Sequence, residues 1–222
     1  DGASEQVRKA ARAAGLAPAD AQLCALVDMD SLDAAAWVGA SGRECAVLVF
    51  ASDTNPGGSR KARNLGTQEE DICRRTSLRQ AQAEVEYPIP APFGVAYLPG
   101  VSQPLAGGGE LRFTALCAAL RSCLASTEPD AREEEFLRAK VRSVLDVALA
   151  RGHREIVLGA WGCGAFGNPP SVVAASMRAV LESRRYRAAF ASVVLAVRGA
   201  ARLAAFRAAF AGSSFELLEA PP

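Results

Sequence analysis

Residues 45–75 read CAVLVFASDTNPGGSRKARNLGTQEEDICRR. The run from Cys45 to Ala51 is apolar without alternation, the pattern of a strand buried on both faces of a sheet. It ends in Asp53-Thr54-Asn55-Pro56-Gly57-Gly58-Ser59, residue types that favour turns. Thr67 and Glu70 then stand at capping-box spacing ahead of Ile72 and Cys73, which predicts a helix start. A strand, a glycine-bearing loop and a helix N-terminus follow one another here. In α/β folds such junctions collect ligands.

Downstream the same alternation continues. Strands are predicted at Gly94 to Leu98 and Leu111 to Cys117, divided by the Gly107-Gly108-Gly109 turn. From Glu133 to Ala150, Leu137, Val141, Val144, Leu145 and Ala148 recur at helical spacing on one face, and Gly152 ends the helix. A strand at Ile156 to Ala160, a helix at Pro170 to Ser183, a strand at Phe190 to Val197 and a helix at Ala200 to Phe210 complete the βαβ pattern. Upstream, residues 4–14 and 18–27 read as short alanine-rich helices separated by Gly15 and Pro18. The expected fold class is α/β: three layers, with a mixed, largely parallel sheet between helices. The expected organisation is one compact domain, with an N-terminal helical cap over 1–43, a core over 44–212 and a C-terminal tail over 213–222.

At 222 residues and 50% hydrophobic content the chain can bury one sizeable core. Lys and Arg number 25 against 24 acidic residues, so no net field draws it to nucleic acid or to an anionic membrane, and any anion must be held locally. Neither sequence-specific nucleic-acid binding nor membrane association is expected. The stretch Asp1 to Ala14 is charged and lacks a signal-peptide core, from which an intracellular location is expected. Cys24, Cys45, Cys73, Cys117, Cys123 and Cys163 form no CxxC pair, which speaks against both a zinc site and a disulfide framework. The single histidine, His153, reads as a helix-end residue without chemistry. Arg74-Arg75 and Arg184-Arg185 read as solvated faces.

A second glycine-bearing loop, Trp161-Gly162-Cys163-Gly164-Ala165-Phe166-Gly167-Asn168, also follows a buried strand and leads into a helix. Helix N-termini offer unpaired N–H groups to phosphate, and glycines let backbone close on an anion. Two such loops side by side suit a diphosphate. Neither matches a Walker loop or the dinucleotide-binding GxGxxG, which disfavours a nucleotide triphosphatase. Cys163 has no histidine beside it in the sequence and reads as a small loop residue, not a nucleophile. On the residues alone, Glu69 and Glu70 also read simply as first-turn acids that suit a helix dipole and its cap.

Asn55-Pro56-Gly57-Gly58-Ser59, followed after a spacer by Gln68-Glu69-Glu70-Asp71-Ile72-Cys73-Arg74-Arg75, resembles the signature of bacterial-type poly(ADP-ribose) glycohydrolases. Leu158 to Asn168 is similar to that family's diphosphate-binding loop, and Gly94-Val95-Ala96-Tyr97-Leu98-Pro99-Gly100 resembles its central hairpin region. The likeness spans roughly residues 44 to 210 and implies a macrodomain-like fold. It implies exo-hydrolysis of the ribose–ribose O-glycosidic bond, with Glu70 as general acid and Glu69 on the ribose hydroxyls. Gln68 and Asn55 would orient the glutamate and the distal ribose. Gly57, Gly58, Ser59, Gly162, Cys163, Gly164, Ala165, Phe166 and Gly167 would line the substrate, and no metal or cofactor is implied. The implied partners are poly(ADP-ribose) or ADP-ribose and ADP-ribosylated proteins, and a monomer is expected. An ADP-ribose reader and a mono-ADP-ribosyl hydrolase are the alternative readings. The chain departs from the family pattern at Ser59, where a third glycine is usual, in the basic spacer Arg60 to Asn64, and at Val197-Arg198-Gly199-Ala200, which lacks an Asp-Pro.

Overall fold

The computed structural model describes residues 23–39, 44–58, 66–120, 129–213 and 216–219. Its elements are β1 (Leu23–Val27), α1 (Ser31–Gly39), β2 (Cys45–Phe50), α2 (Gln68–Arg75), α3 (Leu78–Ala83), β3 (Ala96–Pro104) and β4 (Glu110–Ala118). There follow α4 (Ala131–Ala150), β5 (Glu155–Gly159), α5 (Pro170–Leu181), β6 (Ser192–Ala196), α6 (Ala200–Phe210) and β7 (Glu216–Glu219). The strands form one seven-stranded sheet in the order β3-β4-β2-β5-β6-β1-β7. Only the β3–β4 hairpin at one edge is antiparallel; the other neighbours run parallel.

Alternation along the strands sorts the core into two faces. Cys45, Val47 and Val49 pack with Leu32, Val38, Ile72 and Leu78, so α1, α2 and α3 cover one side. Ala46 and Leu48 pack with Leu137, Val144, Met177 and Phe206, so α4, α5 and α6 cover the other. Covering both faces explains why the central strands read as unbroken apolar runs. The long helix α4 starts where Asp130 and Glu133 form a complete capping box, and α5 starts on Pro170, whose missing N–H costs nothing at that position.

Three expectations change. Residues 23–27, read as part of a helix, form β1, a strand between β6 and β7. The alanine-rich local sequence favours a helix, but Cys24 to Val27 are buried and pair on both sides with distant segments, and that pairing wins over propensity. Within the segment taken as a cap, α1 packs into the main core, so Leu23 to Gly39 belong to the sheet domain. At the other end, residues 216–219 add β7 where a loose tail was expected. The helix expected over 4–14, and residues 18–22 of the next, lie outside the described residues.

β2 and β5 are sheet neighbours, with Ala46 opposite Ile156 and Val47 opposite Val157. Their C-terminal ends therefore open the two glycine-bearing loops side by side. β1 and β6 end on the same edge of the sheet.

Candidate active site

A cleft of about 1640 Å³ opens at this edge. Four segments wall it: Met29 to Leu32 after β1, Ser52 to Gly58 with Gly66 to Ile72, Ala160 to Phe166, and Ala196 to Arg202 after β6. Of the residues singled out in the sequence, Asn55, Gly58, Gln68, Glu69, Glu70, Gly162, Gly164, Ala165 and Phe166 all line it. Gly57, Cys163 and Gly167 do not, and Ser59 and the basic spacer lie outside the described residues.

Thr67 caps α2 as its sequence predicts. Its hydroxyl accepts from the Glu70 N–H at 3.4 Å, and its own N–H donates to Glu70 Oε2 at 3.3 Å. The capping reading and the cleft reading of Glu70 thus hold together, because the carboxylate folds back over the first turn while its flank meets the cleft. Gly58, at φ +74°, lies against it: a Cβ there would stand 3.0 Å from Glu70 Cγ and 3.2 Å from Oε1. Glycine lets loop backbone and carboxylate approach this closely.

Glu69 turns the other way, as adjacent helical positions must. Its Oε2 accepts from Ser52 N at 2.8 Å; its Oε1 accepts from Gly57 N at 3.1 Å and from Gln82 Nε2 at 2.8 Å. Three of a carboxylate's roughly four acceptor sites are thereby occupied by the protein itself. Glu69 acts first as a clamp on the 52–57 backbone, whatever it offers a ribose. Burial raises its carboxyl above the usual range, against the lowering effect of those three donors.

Gln68 differs from its expected role. Its Oε1 accepts from Phe50 N at 2.7 Å, and its Nε2 donates to Ser31 Oγ at 2.8 Å and to Leu48 O at 2.9 Å. The amide ties the start of α2 to the end of β2 and to α1, and so orients the helix instead of gripping Glu70. Asn55 is exposed, with its Nδ2 on Thr54 Oγ1 at 3.1 Å.

The second loop is braced from within. Asn168 is buried; its backbone N–H and its Nδ2 both donate to Gly162 O, at 3.0 and 3.1 Å. Gly167 N donates to Gly164 O at 2.9 Å, and Trp161 Nε1 reaches Ala118 O at 3.1 Å. Gly162, at φ +71°, leaves no room for a side chain: a Cβ would sit 2.5 Å from Asn168 Nδ2. Burial pushes the Cys163 thiol up to about 12, so it holds its proton, in keeping with a loop residue.

The chain matches the family model of the microbial-type PARG catalytic domain over residues 4–88. Poly(ADP-ribose) glycohydrolase from Deinococcus radiodurans, solved in complex with ADP-ribose, is 27% identical, with a TM-score of 0.70 over 93% of this chain and 90% of that one. The chain resembles the microbial-type poly(ADP-ribose) glycohydrolases in sequence and in fold. The Thermomonospora curvata enzyme is 29% identical, with a TM-score of 0.73 over 93% of this chain and 84% of that one. A structure of that enzyme with the inhibitor ADP-HPD is 28% identical, with a TM-score of 0.71 over 92% and 82%. No curated protein matches the chain. Members of this family are glycosidases, and the three-layer α/β fold agrees with theirs.

Several wall residues escaped the sequence reading. Asp30 caps α1 through Leu32 N and Asp33 N, and Arg75 joins it at 2.8 Å while also meeting Asp71 at 3.1 Å. Arg75 is thus an ion-pair hub on the cleft wall, not a solvated face; the wall position of Asp30 depends on β1, a strand where the local sequence predicts helix. Arg198, Gly199 and Arg202 form the far wall, with Arg202 Nε on Arg198 O at 2.9 Å. Their signal was the departure from the family pattern after the last strand.

Proposed function

We propose that this cleft takes the terminal ADP-ribose of poly(ADP-ribose) and that Glu70 protonates the leaving ribose oxygen while water attacks the anomeric carbon. The juxtaposition of Glu70, Gly58 and the 162–166 loop around one cleft carries this reading. An acetal requires a proton donor and stabilisation of an oxocarbenium-like carbon. Backbone N–H groups of two adjacent loops suit a diphosphate, and Phe166 on the wall offers an apolar face to the neighbouring ribose. Glu69 supports the arrangement by holding Ser52 and Gly57 in place.

Enclosure of the bound sugar by loop backbone would keep bulk water from the reacting carbon. Exo-cleavage, with release of free ADP-ribose, is the expected product pattern; ADP-ribosylated proteins and a monomeric, intracellular enzyme complete the reading.

Glu70→Gln is expected to lower kcat for ADP-ribose release from polymer by about a hundredfold to ten-thousandfold. Its calorimetric affinity for ADP-ribose should stay within about threefold of wild type. A Gln variant turning over at the wild-type rate removes Glu70 from the chemistry. Wild-type protein that binds ADP-ribose yet leaves polymer intact is a reader.

A further inference from the structure

Behind the cleft lies a buried polar cluster that the proposed chemistry does not use. Gln82, on α3, is 1% exposed. Its Nε2 donates to Glu69 Oε1 at 2.8 Å and lies 3.3 Å from Tyr87 OH; its Oε1 accepts from the Cys73 thiol at 3.4 Å. Cys117 Sγ stands 3.7 Å from the same nitrogen. α3 does not line the cleft, yet one of its side chains touches the carboxylate that fixes the 52–57 backbone.

We propose that Gln82 is a positioning residue for the first substrate loop: its amide supplies the donor that keeps Glu69 turned toward Ser52 and Gly57, and so holds the loop shaped for ADP-ribose. This rests on the function proposed above. The chemistry of the partners sets the amide's direction. A carboxylate oxygen accepts only, so nitrogen faces Glu69, and the carbonyl is left for the thiol. A neutral donor is also the side chain suited to this spot. An acid there would place two carboxyl groups in contact.

That last consequence makes the idea testable. The titratable groups around position 82 are Glu69 and Cys73 from α2, Tyr87 after α3 and Cys117 from β4, with Glu70, Arg74 and Arg79 adding to the field at Glu69 and Cys73. Burial raises Cys73 to about 11 and pushes Tyr87 and Cys117 up as well, so these three stay protonated between about pH 5 and 9. In Gln82→Glu the new acid, while protonated, donates to Glu69 as the amide did. Once both ionise they repel, and the loop loses its anchor.

ADP-ribose affinity of Gln82→Glu, taken as a ratio to wild type at each pH, should be close to one at about pH 5 and at least about tenfold weaker at about pH 9. The Ser52 and Gly57 amide resonances of the ligand-free variant should move with the same midpoint. Gln82→Asn keeps a neutral amide but shortens its reach; it should bind about tenfold more weakly at every pH, with a flat ratio. A flat ratio for Gln82→Glu, amide signals that ignore its titration, or wild-type affinity in Gln82→Asn would each overturn the proposal. Should wild type fail to bind ADP-ribose while the variant's amides titrate, the functional reading falls and the positioning role of Gln82 stands.

Discussion

The two glycine-bearing loops of the cleft are held in place with different materials. The 52–58 loop is held by a carboxylate from the helix that follows it, and that carboxylate is held in turn by Gln82 on the next helix. The 161–168 loop is held by its own Asn168 amide and by backbone bonds within a few residues. The first brace carries a titratable group and depends on side chains well outside the cleft. The second is neutral, reaching beyond itself only to the Ala118 and Leu120 carbonyls, and its tolerance is set by sterics, since a side chain at Gly162 would meet Asn168 and Leu120 at once. One loop can therefore be loosened by protons, whereas the other carries no titratable brace and yields to changes of shape.

The largest expected effect comes from giving the second loop the first loop's chemistry. In Asn168→Asp an ionised carboxylate would face the Gly162 and Leu120 carbonyls that now receive N–H groups. A buried acceptor against acceptors should cost about 3–5 kcal/mol at neutral pH, read as a lowered thermal midpoint and lost ADP-ribose binding. Acidification should restore part of both, because the protonated acid can donate once. A variant equally stable at all pH would show that the brace is not the amide.

Alanine at the two glycines sharpens the contrast at intermediate size. Gly162→Ala combines a left-handed backbone with contacts of 2.5 Å to Asn168 Nδ2 and 2.9 Å to Leu120 O, and should cost about 2–3 kcal/mol of stability. Gly58→Ala has the same backbone penalty of about 1–2 kcal/mol. Its new methyl meets a side chain, that of Glu70, which can shift. The expected split is loss of stability and affinity together for Gly162→Ala, and loss chiefly of kcat for Gly58→Ala. Calorimetry with ADP-ribose and turnover on polymer measure the two sides; equal patterns would erase the distinction.

The smallest effect lies in the pH slope of stability. Burial raises the Glu69 carboxyl, so the folded chain keeps a proton that the unfolded chain has released. The stability from this group is full below the ordinary carboxylate value and is lost as pH rises through the raised one. Thermal midpoints of wild type should show that decline, and Glu69→Gln should lack it. Parallel curves would mean that Glu69 does not titrate there.

Much of this was legible in the sequence for a physical reason. Unbroken apolar runs such as Cys45 to Ala51, a capping box at Thr67 and Glu70, and heptad-like spacing in α4 are local signals; local bonding realises the two helical ones, and burial on both faces of the sheet realises the strand. The residues of the two loops that line the cleft follow from strand–loop–helix junctions, which sheet topology then gathers. Leu23–Val27 was illegible because its short apolar run continues an alanine-rich stretch that favours a helix, and only pairing with 192–196 and 216–219 decides for a strand. The Gln82 cluster was illegible as well, since nothing in a short helix says which distant carboxylate it will meet.

By itself, then, the sequence determined that the chain alternates strands and helices, that two glycine-bearing loops follow buried strands, and that a pair of glutamates opens the helix after the first loop. Tertiary structure decided which of the two glutamates on the cleft wall lies against Gly58 and which clamps the backbone. A turn of about 100° per residue separates them, and only the packed neighbours, Gly58 on one side and Ser52, Gly57 and Gln82 on the other, give those directions meaning. Burial did the rest: it sets how strongly each polar contact counts, and it exists only once distant strands have closed around the site.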